Sequence, residues 1–212
     1  MTNGFPGSRQ ILLADVPEQV LLDIPRVIRQ ETTQALAAHV DLEPGLRRDN
    51  FPFERLLRVG HSLAGLGDKH RRVGLSASVE PNVSRNAHHV ELRIGRILIL
   101  ACAVESSRSI PREALYRRSL LSNPQMGLGG AFGNPEVPPG PELVAVVLYG
   151  PSSDYPTGAV APGPGFVTVR FPYSDWSGYS GERVELLPRL LDYEKGRAPN
   201  WSVEPWASEE QA

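Results

Sequence analysis

The chain of 212 residues contains one cysteine, two methionines and only two lysines, Lys69 and Lys195. A lone thiol, Cys102, excludes an intramolecular disulfide framework and any thiolate zinc cluster. No apolar run approaches the ~20 residues needed to cross a bilayer, so no membrane partner is expected. The opening Thr2–Gln10 also lacks the regions of a secretory signal. A cytoplasmic location in a reducing compartment is the expectation. Familiar catalytic and nucleotide signatures are missing too. There is no Gly-x-Ser-x-Gly, no Gly-Lys-Ser/Thr and no His-Glu-x-x-His. In the glycine-rich stretch Met126–Gly133, the spacing of Gly127, Gly129 and Gly133 misses the dinucleotide pattern by one. No cofactor is implied.

What the chain does contain is ordinary for a folded protein: hydrophobic residues are 41% and charged residues 22%. Its length lets it bury roughly 70% of its unfolded surface without a metal or disulfide. The net charge of −2 conceals an uneven distribution. Residues 1–46 carry three Arg against six acids, and residues 119–212 carry four Arg and Lys195 against eleven acids. Between them, residues 47–118 hold thirteen Arg and Lys69 against seven acids, a local charge of +7. A basic centre between acidic ends makes a steering field if the fold gathers its cations on one surface. Arginine in such excess over lysine also matches a simple coding bias, which scatters charge over the surface.

Hydrophobic periodicity organises the chain. Asp15-Val16-Pro17-Glu18 reads as a helix opening, with Pro25 breaking it and a restart running to about His39. Pro44 and Gly45 end that segment. A second helix follows Asn50 and Pro52, with Phe53, Leu56, Leu57, Gly60, Leu63 and Ala64 as its apolar stripe and Arg55 and Arg58 on the exposed side. The period then changes to two. Val73, Leu75, Ala77 and Val79 form one half-buried strand, and Val90, Leu92 and Ile94 another. Residues 96–104 are continuously apolar, as in a central strand, and Gly95 sits at a tight hairpin that needs positive φ. Cys102 in this run reads as an inert core thiol. A helix is expected from about 109 to 122, strands at Leu143–Tyr149 and Phe166–Phe171, and a last helix near Glu182–Glu194. Residues 124–141 and 150–165 are Gly/Pro-rich loops, and 197–212 is a tail with Trp201 and Trp206. Helices first and strands later, without strict alternation, predict a single α+β domain over 1–212. It has a mainly antiparallel sheet of about five strands and about four helices.

Three constellations could carry function. The basic set is the first: Arg55 and Arg58 on the amphipathic helix, Lys69, Arg71 and Arg72 at its end, Arg93 on a strand, and Arg112, Arg117 and Arg118 on the next helix. If they converge, they make a face for phosphates or for an acidic protein. Aromatics for base stacking are scarce there, which disfavours a dedicated single-strand binder. The second is His88-His89-Val90-Glu91, where alternation puts His89 and Glu91 on one strand face as two metal ligands. A third would have to come from His61, Asp68 or His70, and Arg93 stands where a metal-dependent nuclease would use lysine. The third is the pair Trp201 and Trp206, either covering the domain or anchoring a partner.

The leading expectation is a non-enzymatic cytoplasmic binding protein. It docks a protein or nucleic-acid partner through the Arg-rich 47–118 face, helped by Trp201 and Trp206. A metal-dependent phosphodiester hydrolase centred on His89 and Glu91 is the first alternative. An oligomeric scaffold that pairs copies of the chain through the Trp tail is the second.

Overall fold

The computed structural model describes residues 7–81, 88–111, 143–151, 163–173 and 175–201. Helices α1 (Ser8–Asp15), α2 (Glu18–Ala37) and α3 (Pro44–Lys69) come first, and a single 3-10 turn (Arg71–Val73) leads into the strands. These are β1 (Leu75–Pro81), β2 (His88–Ile94), β3 (Ile97–Ala103), β4 (Leu143–Gly150), β5 (Phe166–Pro172) and β6 (Tyr179–Glu185). Helix α4 (Leu186–Glu194) follows. The strands form one sheet in sequence order. Every neighbouring pair is antiparallel except β3 and β4, which run parallel. The expected α+β arrangement and mainly antiparallel sheet are therefore present, with six strands in place of five.

Alternation along each strand sorts side chains onto two faces. Leu92, Ile94, Ile97, Ile99, Val147, Val169 and Val184 point to the face that packs against the helices. Leu98, Leu100 and Val144, with Cys102, Val146 and Leu148, are buried on the opposite face. All eight residues of β4 are buried, as a strand covered on both sides requires. Gly95 has φ 53° at the β2–β3 turn, as expected for so short a connection. Among the described residues no helix is long and apolar enough to cross a membrane.

Several boundaries differ from the sequence expectation, each for a local reason. Helix α1 was not anticipated, and Asp15 ends it without capping α2. Pro25 lies inside a continuous α2, so a residue that usually breaks a helix is overridden by the packing of a largely buried one. Pro44 starts α3; its fixed φ and missing N–H suit a first helical turn. Val73 falls in the 3-10 turn and is exposed, so β1 begins at Leu75. Residues 182–185 belong to β6 and not to the last helix, which begins at Leu186 with Pro188 in its first turn. The helix expected at 109–122, the 124–141 loop, and all but the ends of the 150–165 loop lie largely or wholly outside the described residues.

Close approach of α3 to the sheet depends on Gly67. A Cβ there would lie 2.8 Å from both the Cβ and the backbone nitrogen of Ala77 on β1, whereas one on Gly65 meets nothing within 4 Å. Gly67→Ala should therefore destabilise by about 1–3 kcal/mol through overpacking. Gly65→Ala should stabilise by up to about 1 kcal/mol through helix propensity. Urea denaturation of the two variants checks both signs.

Candidate functional site

The helices are keyed together by buried polar side chains. Asp23 on α2 is 1% exposed, and its carboxylate accepts a hydrogen bond from His70 Nε2 at 2.7 Å. The same carboxylate pairs with Lys69 at 2.5 Å and with Arg26, and accepts from Gln19 at 3.1 Å. Eight residues further along α2, buried Glu31 accepts a hydrogen bond at 2.9 Å from Ser62, eight residues back along α3. The matched steps of about two turns define an antiparallel pair. Between the two polar layers in sequence, Leu66 belongs to the core and the partly buried Val27 packs against it.

This register sets which side of α3 faces inward. The buried stripe runs through Phe51, Val59, Leu63 and Leu66. Leu63 was expected there, whereas Phe53, Leu56 and Leu57 were expected to be buried and are exposed instead, Phe53 at 65% and Leu57 at 53%. Arg55, expected on the exposed side, turns inward. Its guanidinium lies 5.3 Å from the Phe51 ring centroid and 5.6 Å from that of Tyr149 on β4. Burial lowers its pKa from the ordinary arginine value, partly offset by Tyr149. Burial likewise pushes the Tyr149 phenol well above the usual tyrosine range, so it stays neutral.

Among the described residues, the other cations of the basic set do not gather on one face. Arg58 pairs with Glu54 on the same helix at 2.5 Å, and Arg71 with Asp68 at 2.6 Å. Lys69 is drawn to Asp23. Arg72 is exposed beside Arg71. Arg93 lies on the sheet face opposite α3 and pairs with Glu91 at 2.6 Å. Arg112, Arg117, Arg118 and Trp206 lie outside the described residues. Trp201 packs against the core, with Arg189 over its ring at 5.2 Å and Arg9 donating to its carbonyl at 3.1 Å. Trp201 is therefore partly buried against the body of the domain.

His89, Glu91 and Arg93 do share one face of β2, as alternation required. His89 Nε2 donates to Glu91 Oε1 at 3.1 Å while Arg93 holds Oε2. The His89 hydrogen bond keeps the Glu91 carboxyl below its ordinary pKa against the opposing effect of burial, and Arg93 adds to this. Both carboxylate oxygens are thus engaged in an ion-paired ladder. His61 and Asp68 sit on α3 and His70 follows its last residue, across the sheet. Among the described residues no group of three potential ligands is placed to hold a metal. The two-ligand reading gains no third ligand there.

A basic cluster that the sequence did not announce lies at the other flank of this face. Arg170 on β5 stands directly opposite Arg183 on β6. Arg170 covers the Tyr179 ring at 5.0 Å, and Tyr179 Oη donates to the Ser109 carbonyl at 3.3 Å. Glu185 pairs with Arg183 at 3.1 Å and accepts from Thr168 at 2.6 Å. Reading 182–185 as helix concealed this pairing; the period-two placement of Arg183 and Glu185 could have disclosed it.

Comparison with protein-family models, curated proteins and solved structures returns no match, so the functional reading rests on this chain's own geometry.

The Asp23 cluster makes a pH-dependent prediction. Burial, reinforced by the Lys69 ammonium, lowers the His70 pKa from its ordinary 6.5. Unfolded chains therefore bind the proton more readily, and stability falls as pH drops below about 6.5 toward the folded-state pKa. Thermal midpoints between pH 7 and 5 should decline in the wild type, and His70→Gln should flatten that slope. An unchanged slope would remove His70 as its source. At pH 7, Asp23→Ala should cost about 1–3 kcal/mol, since it leaves the buried His70 ring without its hydrogen-bond partner.

Proposed function

We propose that the chain is a non-enzymatic, cytoplasmic binding protein that docks a protein partner through residues 47–72, with the outward side of α3 as the platform. One observation carries this reading. Leu46, Phe53, Leu56 and Leu57 are all at least 45% exposed on a helix that is already anchored by its other side. Scattered exposed leucines need no explanation, but large apolar side chains on successive turns of one helix flank make a patch of the kind that partners cover. The charge beside it selects the occupant. Residues 47–72 hold seven Lys or Arg against three acids; with Arg55 turned inward and Lys69 drawn to Asp23 the excess is two cations, which favours an acidic segment with an apolar face. The lone buried thiol of Cys102 suits a reducing compartment.

Nucleic acid is the weaker reading of the same region. Phosphate binding needs several cations on one surface, whereas Arg58 and Arg71 are engaged by neighbouring carboxylates and Arg93 is on the opposite sheet face.

A random-peptide display library selected on the folded protein tests the proposal. Enriched peptides should combine Asp or Glu with Leu, Phe or Trp. Their affinity should fall at least about tenfold for Phe53→Glu with Leu57→Glu, a size typical of lost anchors. Arg71→Glu with Arg72→Glu should weaken binding mainly at low salt. Peptides indifferent to positions 53 and 57 would overturn the docking surface. Oligonucleotide binding that falls log-linearly with salt and ignores Phe53→Glu would replace the protein partner with nucleic acid.

A further inference from the structure

Among the described residues, Arg55 is a cation with no anion to meet. It leaves α3 on the inward side, away from the exposed Phe53 and Leu57, and its guanidinium lies 5.3 Å from the Phe51 ring centroid and 5.6 Å from that of Tyr149. Its Nε is buried without a hydrogen-bond partner, although the side chain as a whole is only half-buried. Glu54, its neighbour in sequence, is held by Arg58 at 2.5 Å, and the one ionisable group that acts on Arg55 is Tyr149. Aromatic faces attract a guanidinium, but they do not accept its in-plane N–H groups as a carboxylate would. A desolvated cation in that state is costly unless an anion meets it.

Tyr149 supplies a second, independent observation. It is 1% exposed, and buried phenols ordinarily find a hydrogen bond. Among the described residues its Oη has no such partner, and the groups acting on it are Arg55 and the Cys102 thiol. Burial keeps the phenol neutral, so Oη retains a proton to donate. Tyr149 is also next to last in β4, where the sheet's parallel pair ends. Its register partner Ala103 is the last residue of β3 and is exposed. Alternation puts Ala103 on the helix-side face, where its methyl gives the rim of the site an apolar floor.

We propose that Arg55 and Tyr149 Oη, with Phe51 and Ala103 beside them, form a binding site for a small organic monocarboxylate with an apolar body. One guanidinium among neutral groups balances one negative charge, which suits a carboxylate better than a dianionic phosphate ester. The guanidinium fork takes both carboxylate oxygens, and the phenol donates a further hydrogen bond. Stacking on two rings holds the fork in place before the acid arrives, so less rotamer freedom is lost on binding. The ring carbons and the Ala103 methyl receive the apolar body. The site lies on the inward side of α3 and does not depend on a partner docking on the outward side.

Equilibrium dialysis of the full chain against radiolabelled benzoate, at constant ionic strength in a buffer without other oxyanions, tests this. The wild type should bind benzoate saturably, and benzamide, a neutral analogue of similar shape, should not compete. Arg55→Met should abolish binding, and Arg55→Lys should retain only part of it, because an ammonium makes a point contact in place of a fork. Tyr149→Phe keeps the ring and should weaken binding at least about tenfold, the size expected for one lost hydrogen bond to a charged group. No binding by the wild type, equal affinity in wild type and Arg55→Met, or competition by benzamide overturns the site. Phenyl phosphate displacing benzoate at lower concentration than unlabelled benzoate does would overturn the assignment to a monocarboxylate. Should Arg55→Met fail to fold, Arg55→Lys and Tyr149→Phe carry the same comparison, and affinity equal to wild type in both overturns the site.

Discussion

Asp23 is the point on which the arrangement turns. It is a carboxylate taken almost wholly out of water, and such a group is tolerated only when its charge and lone pairs are satisfied. His70, Lys69, Arg26 and Gln19 do this. These four groups are not interchangeable in position. Gln19 and Arg26 come from α2 itself, but Lys69 and His70 come from the end of α3, where the chain turns into β1. The His70 carbonyl accepts from the Val73 N–H at 3.0 Å, within that turn. The cluster therefore fixes both the axial register of α2 against α3 and the direction in which the chain enters the sheet. Apolar packing alone is non-directional and would leave that register poorly determined.

The consequence reaches the surface. Helix α3 has apolar residues on two sides, and both could have served as its buried stripe. Once His70 and Ser62 face α2, the side carrying Val59, Leu63 and Leu66 must go inward, and the side carrying Phe53 and Leu57 must go out. Arg55 is carried inward by the same rotation and finds the rings of Phe51 and Tyr149 in place of a carboxylate. The buried polar contacts thus produce the exposed apolar flank of α3 as well as the register. The opposite sheet face obeys a different rule. There an apolar centre of Leu98, Leu100, Val146 and Leu148 is flanked by charged ladders on β2 and on β5–β6. The β2 ladder is compensated by Glu91, and on the other flank Glu185 pairs with Arg183.

How much of this was legible in the sequence depends on whether local pattern or tertiary pairing decides the point. The strands at 90–94, 97–103, 143–149 and 166–171 followed from period-two alternation and continuous apolar runs, and Gly95 followed from the length of its turn. The shared face of His89, Glu91 and Arg93 was equally readable. Prolines misled in both directions, because Pro25 is tolerated inside a packed helix and Pro44 starts one. β6 was hidden by its composition: Val184 is its one buried large apolar residue, so no alternation marks it. The rotation of α3 was not recoverable from periodicity at all. A helix with two apolar sides gives no preference, and the deciding partners, Asp23 and Glu31, lie about thirty to fifty residues away along the chain. The arginine cluster failed for the same reason, since Arg170 and Arg183 meet only through the sheet.

The central claim is that buried polar register turns Arg55 inward and leaves Phe53 and Leu57 outward. Thiol-labelling rates test it most directly, using single cysteines placed at positions 53, 55, 57 and 59 in a Cys102→Ala background. Cysteines at 53 and 57 should react at rates close to those of the unfolded chain, and those at 55 and 59 should be strongly protected. Equal protection at all four, or protection at 53 and 57 with rapid labelling at 55, would contradict the account.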